Sequence, residues 1–299
     1  MNSRATWPLR ATMGLAVAAA AALPARAATG CGFDAPTLSF AGTPVQQARC
    51  LLRPVAKGGS LGPVQPLPQA LEALVGAKAD VALPALQAEI DKAGIGPDAA
   101  GGKLSSPLSR TESGAVARYF VIHDTSSCGP ASRFANSDEP DAAWNRSKTW
   151  ANNKQGHLYV TRDGKLVAPQ GRTFSTPWRA TQLEMHQGPR TRGLFLHVEN
   201  VQLRAPEAAS ACPGQGVKGN DRIAQKPGLS AVQMKRLALL YVAASARKRE
   251  WLIPAFHASV DDGVGDHDDP QNFDVGQWAV EICNVLAAVG APCTAGGNK

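Results

Sequence analysis

The chain has 299 residues, enough for one large domain or a domain with a substantial appendage. Its formal charge of +7 falls to +4 if an N-terminal leader takes Arg4, Arg10 and Arg26 with it. So small an excess, with no dense Lys/Arg run interleaved with aromatics, excludes a nucleic-acid signature but suits an anionic polymer such as a cell wall.

The first 27 residues read as a secretory signal peptide. Arg4 and Arg10 form a positive start, Met13 to Leu23 a short apolar core, and Ala25-Arg26-Ala27 a cleavage site. The core is too short to span a bilayer, and no later stretch is long and apolar enough to do so. An exported protein is expected, in the periplasm or outside the cell. Lipoprotein processing at Cys31 is disfavoured because Ala28-Thr29-Gly30 lacks the usual aliphatic residue. Six cysteines in an exported chain allow 15 pairings; the local ones are Cys31–Cys50 and Cys283–Cys293, which leaves Cys128–Cys212.

Residues 28–108 are rich in Pro, Gly and Ala and read as a small appendage, with short helices at Pro68–Val75 and Leu83–Ala93. A linker is expected over Pro97–Ser106. From residue 109 the pattern changes. Ala117–Ile122 is a strand-forming run that ends on His123. Asp141–Asn153 reads as a helix carrying Trp144 and Trp150, with Trp150 a candidate for stacking on substrate. His157–Thr161, the Arg162-Asp163-Gly164 turn and Lys165–Val167 form a hairpin. Gly193–Val201 is a strand on which Phe195, His197 and Glu199 share a face.

Ser230-Ala-Val-Gln233 is a capping box opening a helix to about Arg249. A short strand then leads into His257. The next loop holds Asp261, Asp262, Asp266, His267, Asp268 and Asp269, and a last helix spans Val275–Val289. Interleaved strands and helices give an α/β class with one central sheet. An imidazole held at a strand end and a carboxylate returning on a Gly-hinged loop supply ligands of the kind Zn²⁺ accepts.

YFVIHDTSS, GHLYVTRDGKLV, GLFLHVEN, LSAVQMKRLALLYVAA and FHASVD…DHDDPQNFD occur in an order that resembles the zinc-dependent N-acetylmuramoyl-L-alanine amidases of the amidase-2 or peptidoglycan-recognition type. The resemblance spans about Ala117 to Val289. It implies a single central mixed β-sheet flanked by helices, an amidase domain over 109–299, and a monomer acting on peptidoglycan or muropeptides. It also implies Zn²⁺ as cofactor, held by His123, His257 and Asp269. Glu199 falls on the family's acidic position and is the first choice for the general base. His197, where glycine is usual, shares its strand face and is the alternative base, or else a residue behind a ligand or in contact with substrate. His267 stands two before the third ligand, where Lys is frequent, as an oxyanion donor or as the third ligand itself. His157 matches a residue at the family's cleft, and Gly156 replaces a tyrosine found in some members. The implied reaction is zinc-assisted hydrolysis of the amide between the lactyl group of N-acetylmuramic acid and L-alanine. A muropeptide-recognition module with little or no activity is the alternative, as is a zinc amidase or peptidase with another substrate.

Overall fold

Every residue of Tyr119–Asp124 is buried, and the same holds for Phe195–Asn200, Leu158–Val160 and Ile253–Phe256. Strands buried along their whole length suit a parallel sheet covered on both faces. The computed structural model describes residues 31–136, 138–139, 142–206 and 222–293. In it these strands form one five-stranded sheet, in the order Ile253–Phe256, Tyr119–Asp124, Phe195–Asn200, Leu158–Val160, Leu166–Val167. The first four run parallel and only the edge strand is antiparallel, so the sheet is mixed and flanked by helices. The register pairs Ile122 with Phe256 and His123 with Glu199. The carboxyl ends of three strands therefore finish together, which is where open α/β sheets place their sites.

The two faces are covered by different parts of the chain. On one, the stacked rings of Tyr119 and Phe195 meet Phe40. The Tyr119 hydroxyl accepts from the Phe40 amide and donates to Gln47 Oε1, each at 2.9 Å. On the other, Phe120 packs edge-on against Tyr241 of the long helix Ala231–Lys248. That helix starts at the expected Ser230–Gln233 capping box and ends where Arg249 turns left-handed. It packs on the last helix, Val275–Ala288, through Tyr241 and Trp278.

The segment before residue 109 packs into the same core as the sheet. Phe40, Leu51, Leu86 and Ile90 share one hydrophobic core with Val121 and Leu240. Helices at Gln69–Leu74 and Leu83–Lys92 lie where expected. An additional helix, Pro44–Leu51, is capped by a Thr43–Gln46 box. The expected linker is packed as well: Ala100 and Leu104 are buried, and Arg247 donates to the Gly101 carbonyl at 2.6 Å. Gly101 has φ +83°, and a Cβ there would lie 2.2 Å from the Phe174 ring. Small residues that read as flexible in sequence here permit close approach.

The expected helix over Asp141–Asn153 is reduced, among the described residues, to the single turn Ser147–Trp150. Side-chain bonds to backbone, Asn145 to Glu139 O and Trp150 Nε1 to Trp144 O, satisfy that region without a longer helix. Disulfides join Cys31 to Cys50 and Cys283 to Cys293, a pattern compatible with export. The signal peptide and Cys212, and with Cys212 the third expected pairing, lie outside the described residues. Cys128 is disulfide-bonded. Among the described residues no helix is long and apolar enough to cross a membrane.

Candidate metal centre

His123 leaves the sheet at the end of its strand. His257 follows immediately after the neighbouring strand, and Asp269 returns from the acidic loop to meet both. His257 Nδ1 lies 3.0 Å from Asp269 Oδ1 and 3.1 Å from Oδ2, and His123 Nδ1 lies 3.7 Å from Asp269 Oδ2. The three donor atoms fall within 4.8 Å of one another, on residues 1%, 6% and 5% exposed. Tetrahedral zinc with Zn–N and Zn–O bonds of ~2.0–2.2 Å sets its ligand atoms ~3.3–3.6 Å apart. The spacing and chemistry of this set fit the ion.

Electrostatics favour the ligand form at His123 and Asp269 but not at His257. There burial opposes charge, yet Asp269 and Asp261 outweigh it and hold the imidazole well above its usual range, so a metal would have to displace its proton. Burial, followed by the neighbouring His257 charge, holds His123 well below the usual imidazole range, leaving it neutral as a ligand must be. Burial opposes charge on Asp269, but His257 and Arg204 outweigh it and keep the carboxyl below its ordinary value. Glu199 Oε1 stands 3.8 Å from His123 Nδ1 on a residue 5% exposed. Burial and then the Asp269 charge push its carboxyl well above the usual range.

Two buried groups that sequence reasoning did not assign to the site hold this arrangement. Asp261 accepts the Gln182 and Leu183 amides, each at 2.9 Å, and His267 Nδ1 at 2.6 Å; His257 Nε2 approaches it at 3.0 Å, off the ring's N–H axis. Burial would raise this carboxyl, yet the two histidines outweigh burial and hold it low. His257, Asp261 and His267 also converge closely enough to hold an ion. With its oxygens occupied by donors, Asp261 orients the two rings instead of offering an open ligand. Arg204, fully buried, bridges Asp124 at 2.6 Å and Asp268 at 2.5 Å. It thereby ties the residue after His123 to the residue before Asp269. Arg204 lies on a small second sheet (Ser127–Cys128, Leu203–Pro206, Arg222–Ala224), which has no clear alternation in sequence.

The remaining candidates separate. His197 is 0% exposed: its Nδ1 meets His123 Nε2 at 3.1 Å and its Nε2 lies 3.0 Å from Glu184 Oε2. Neither nitrogen is open to a substrate, and of the two candidate bases Glu199 is the one beside His123 Nδ1. Glu184, also 0% exposed, was legible only as the last residue of the capping box Thr181–Glu184. His157 is 0% exposed too, accepting the His197 amide at Nδ1 and donating from Nε2 to Thr176 O, so it is structural and not a cleft contact. Trp150 stacks on Tyr159 at 5.1 Å and is buried, not presented to a ligand. His267, stacked over His257 at 3.9 Å and tied to Asp261, lies outside the His123 set and has a side chain 32% exposed. At Gly156 a Cβ would lie 2.8 Å from Glu199 Cγ, so a tyrosine does not fit beside this glutamate.

Compared with protein-family models, curated proteins and solved structures, the chain matches none.

Proposed function

We propose that this protein is an exported zinc-dependent N-acetylmuramoyl-L-alanine amidase that hydrolyses the lactyl–L-alanine amide of peptidoglycan or its fragments. The observation that carries the reading is the convergence of His123, His257 and Asp269 at the carboxyl ends of parallel strands, with Glu199 at 3.8 Å from His123. The sequence resemblance supplies the substrate class and the finer, amidase-like fold assignment.

Bound zinc would polarise the scissile carbonyl and make an attacking water more acidic. The chain's own part is to accept and deliver the proton. Glu199 is held between His123 and the Gly156 backbone beside the centre, placed to take a proton from water as its carboxylate and pass it to the leaving amine. His267 has a side chain 32% exposed and is braced by Asp261. It would donate to the oxygen that gains charge as the amide is attacked. Arg204 and Asp261 hold both arms of the centre rigid, so that little reorganisation accompanies reaction.

The test is release of peptide from purified peptidoglycan, scored as free L-alanine amino termini and unmodified lactyl carboxylates, by wild type and Glu199→Gln. Wild-type release lost in Glu199→Gln, with zinc retained, supports the reading. Binding of muropeptide with no release by zinc-loaded wild type makes the protein a recognition module instead.

A further inference from the structure

His123 is a ligand through Nδ1 only if its ring cannot turn or move its proton, and neither the sheet nor Asp269 prevents that. A second contact does. His123 Nε2 lies 3.1 Å from His197 Nδ1, two residues back along the adjoining strand face from Glu199. The neutral imidazole has one N–H, so an Nδ1 lone pair aimed at the centre requires the proton on Nε2. That N–H points at His197 Nδ1, which must then be bare, and the His197 proton must sit on its Nε2. There the neighbour is Glu184 Oε2 at 3.0 Å.

Glu184 is fixed in turn. Its Oε2 accepts the Ala180 and Thr181 amides, at 2.9 and 3.1 Å, and the Thr181 hydroxyl at 3.1 Å. Its Oε1 and His197 Nε2 are buried without an in-line hydrogen bond, although Nε2 is 3.0 Å from the same carboxylate. Orphaned polar atoms so placed are costly unless they serve each other.

We propose that Glu184 and His197 are positioning residues which, acting in series, lock His123 in the tautomer that presents Nδ1 to the metal. This rests on the reading of His123, His257 and Asp269 as a metal centre. A carboxylate–histidine chain behind a ligating histidine raises ligand basicity and fixes the ring, and its loss costs about 10–100-fold in metal affinity. It also accounts for the buried histidine in a strand position where the resembled family has glycine.

The experiment measures zinc affinity by competition with a chromophoric chelator, on the full chain. The variants are Glu184→Gln, His197→Leu and His197→Gln. Glutamine at 184 keeps the capping box but turns an amide N–H toward His197. Leucine at 197 removes the acceptor for His123, whereas glutamine there restores a carbonyl. Expected are affinities weakened about 10-fold or more for Glu184→Gln and His197→Leu, and within about threefold of wild type for His197→Gln. Thermal melts of the metal-free forms separate this from unfolding. In parallel, ¹⁵N shifts of the His123 ring in wild type should show Nε2 protonated and, with zinc, Nδ1 ligated; this readout needs no variant to fold. Wild type that binds one zinc equally well in all variants, or a His123 ring protonated at Nδ1, overturns the positioning role. Wild type that binds no zinc at these residues overturns the metal centre, and the positioning role with it.

Discussion

Arg204→Met takes a fully buried guanidinium away from two buried carboxylates, Asp124 at 2.6 Å and Asp268 at 2.5 Å. The methionine fills similar volume, so the loss is chiefly electrostatic. Breaking a buried pair by removing one partner costs about 3–5 kcal/mol, because a charge is left uncompensated. Here two are left, though each keeps other donors. Asp124 still accepts the Ser126 and Gln271 amides, and Asp268 still accepts Gln271 Nε2. A destabilisation of about 4 kcal/mol is expected, or about 8–16 °C in Tm for a chain of this size. Zinc affinity should fall in parallel, since Asp268 adjoins Asp269. Denaturant titration of metal-free protein measures the first effect and chelator competition the second. Arg204→Met combined with Asp124→Asn and Asp268→Asn should recover much of the stability, because no buried charge then remains. A loss below about 1 kcal/mol for the single variant, with zinc binding unchanged, would refute the clamp.

Gly156→Ala places a methyl 2.8 Å from Glu199 Cγ and should cut peptide release about 10-fold or more while zinc content stays at wild-type level. Gly101→Ala meets the Phe174 ring at 2.2 Å from a left-handed φ and should cost about 2–4 kcal/mol in a denaturant melt. His157 is held neutral, pushed down to about 3 by burial and then by His197. Its folded value lies below the unfolded ~6.5, so its contribution is complete above pH ~6.5 and is lost as pH falls from there toward 3. The slope of stability against pH over that window should be shallower by up to about one proton in His157→Gln, measured on metal-free protein.

The parts of the fold that were legible in sequence are those governed by local rules. The strand into His123, the Asp163-Gly164 hairpin and the Ser230 capping box each carry a period or a cap, and each appears within two or three residues of its expected bounds. The candidate ligands were legible for a related reason: His123 and His257 close apolar runs, and Asp269 precedes a proline. What local pattern cannot report is which residues meet across the sheet. Strand parity placed His197 and Glu199 on one face but not the depth of each along it. The register sets His197 beneath the centre, against His123 Nε2, and Glu199 at its rim. Arg204 resembled any surface arginine, since its two partners lie 80 and 64 residues away in sequence. The Gly/Ser-rich stretch before residue 109 misled because small residues serve both hinges and close contacts, and here Phe174 and Arg247 occupy the space they leave.

The most direct test of the central claim is the metal content of purified wild type and Asp269→Ala, by elemental analysis after dialysis against zinc. One zinc per wild-type chain and a marked loss in the variant are predicted. Zinc should also raise the wild-type Tm as its free concentration exceeds the dissociation constant, and have little effect on the variant. No stoichiometric metal in wild type, or equal zinc in both proteins, would contradict the account.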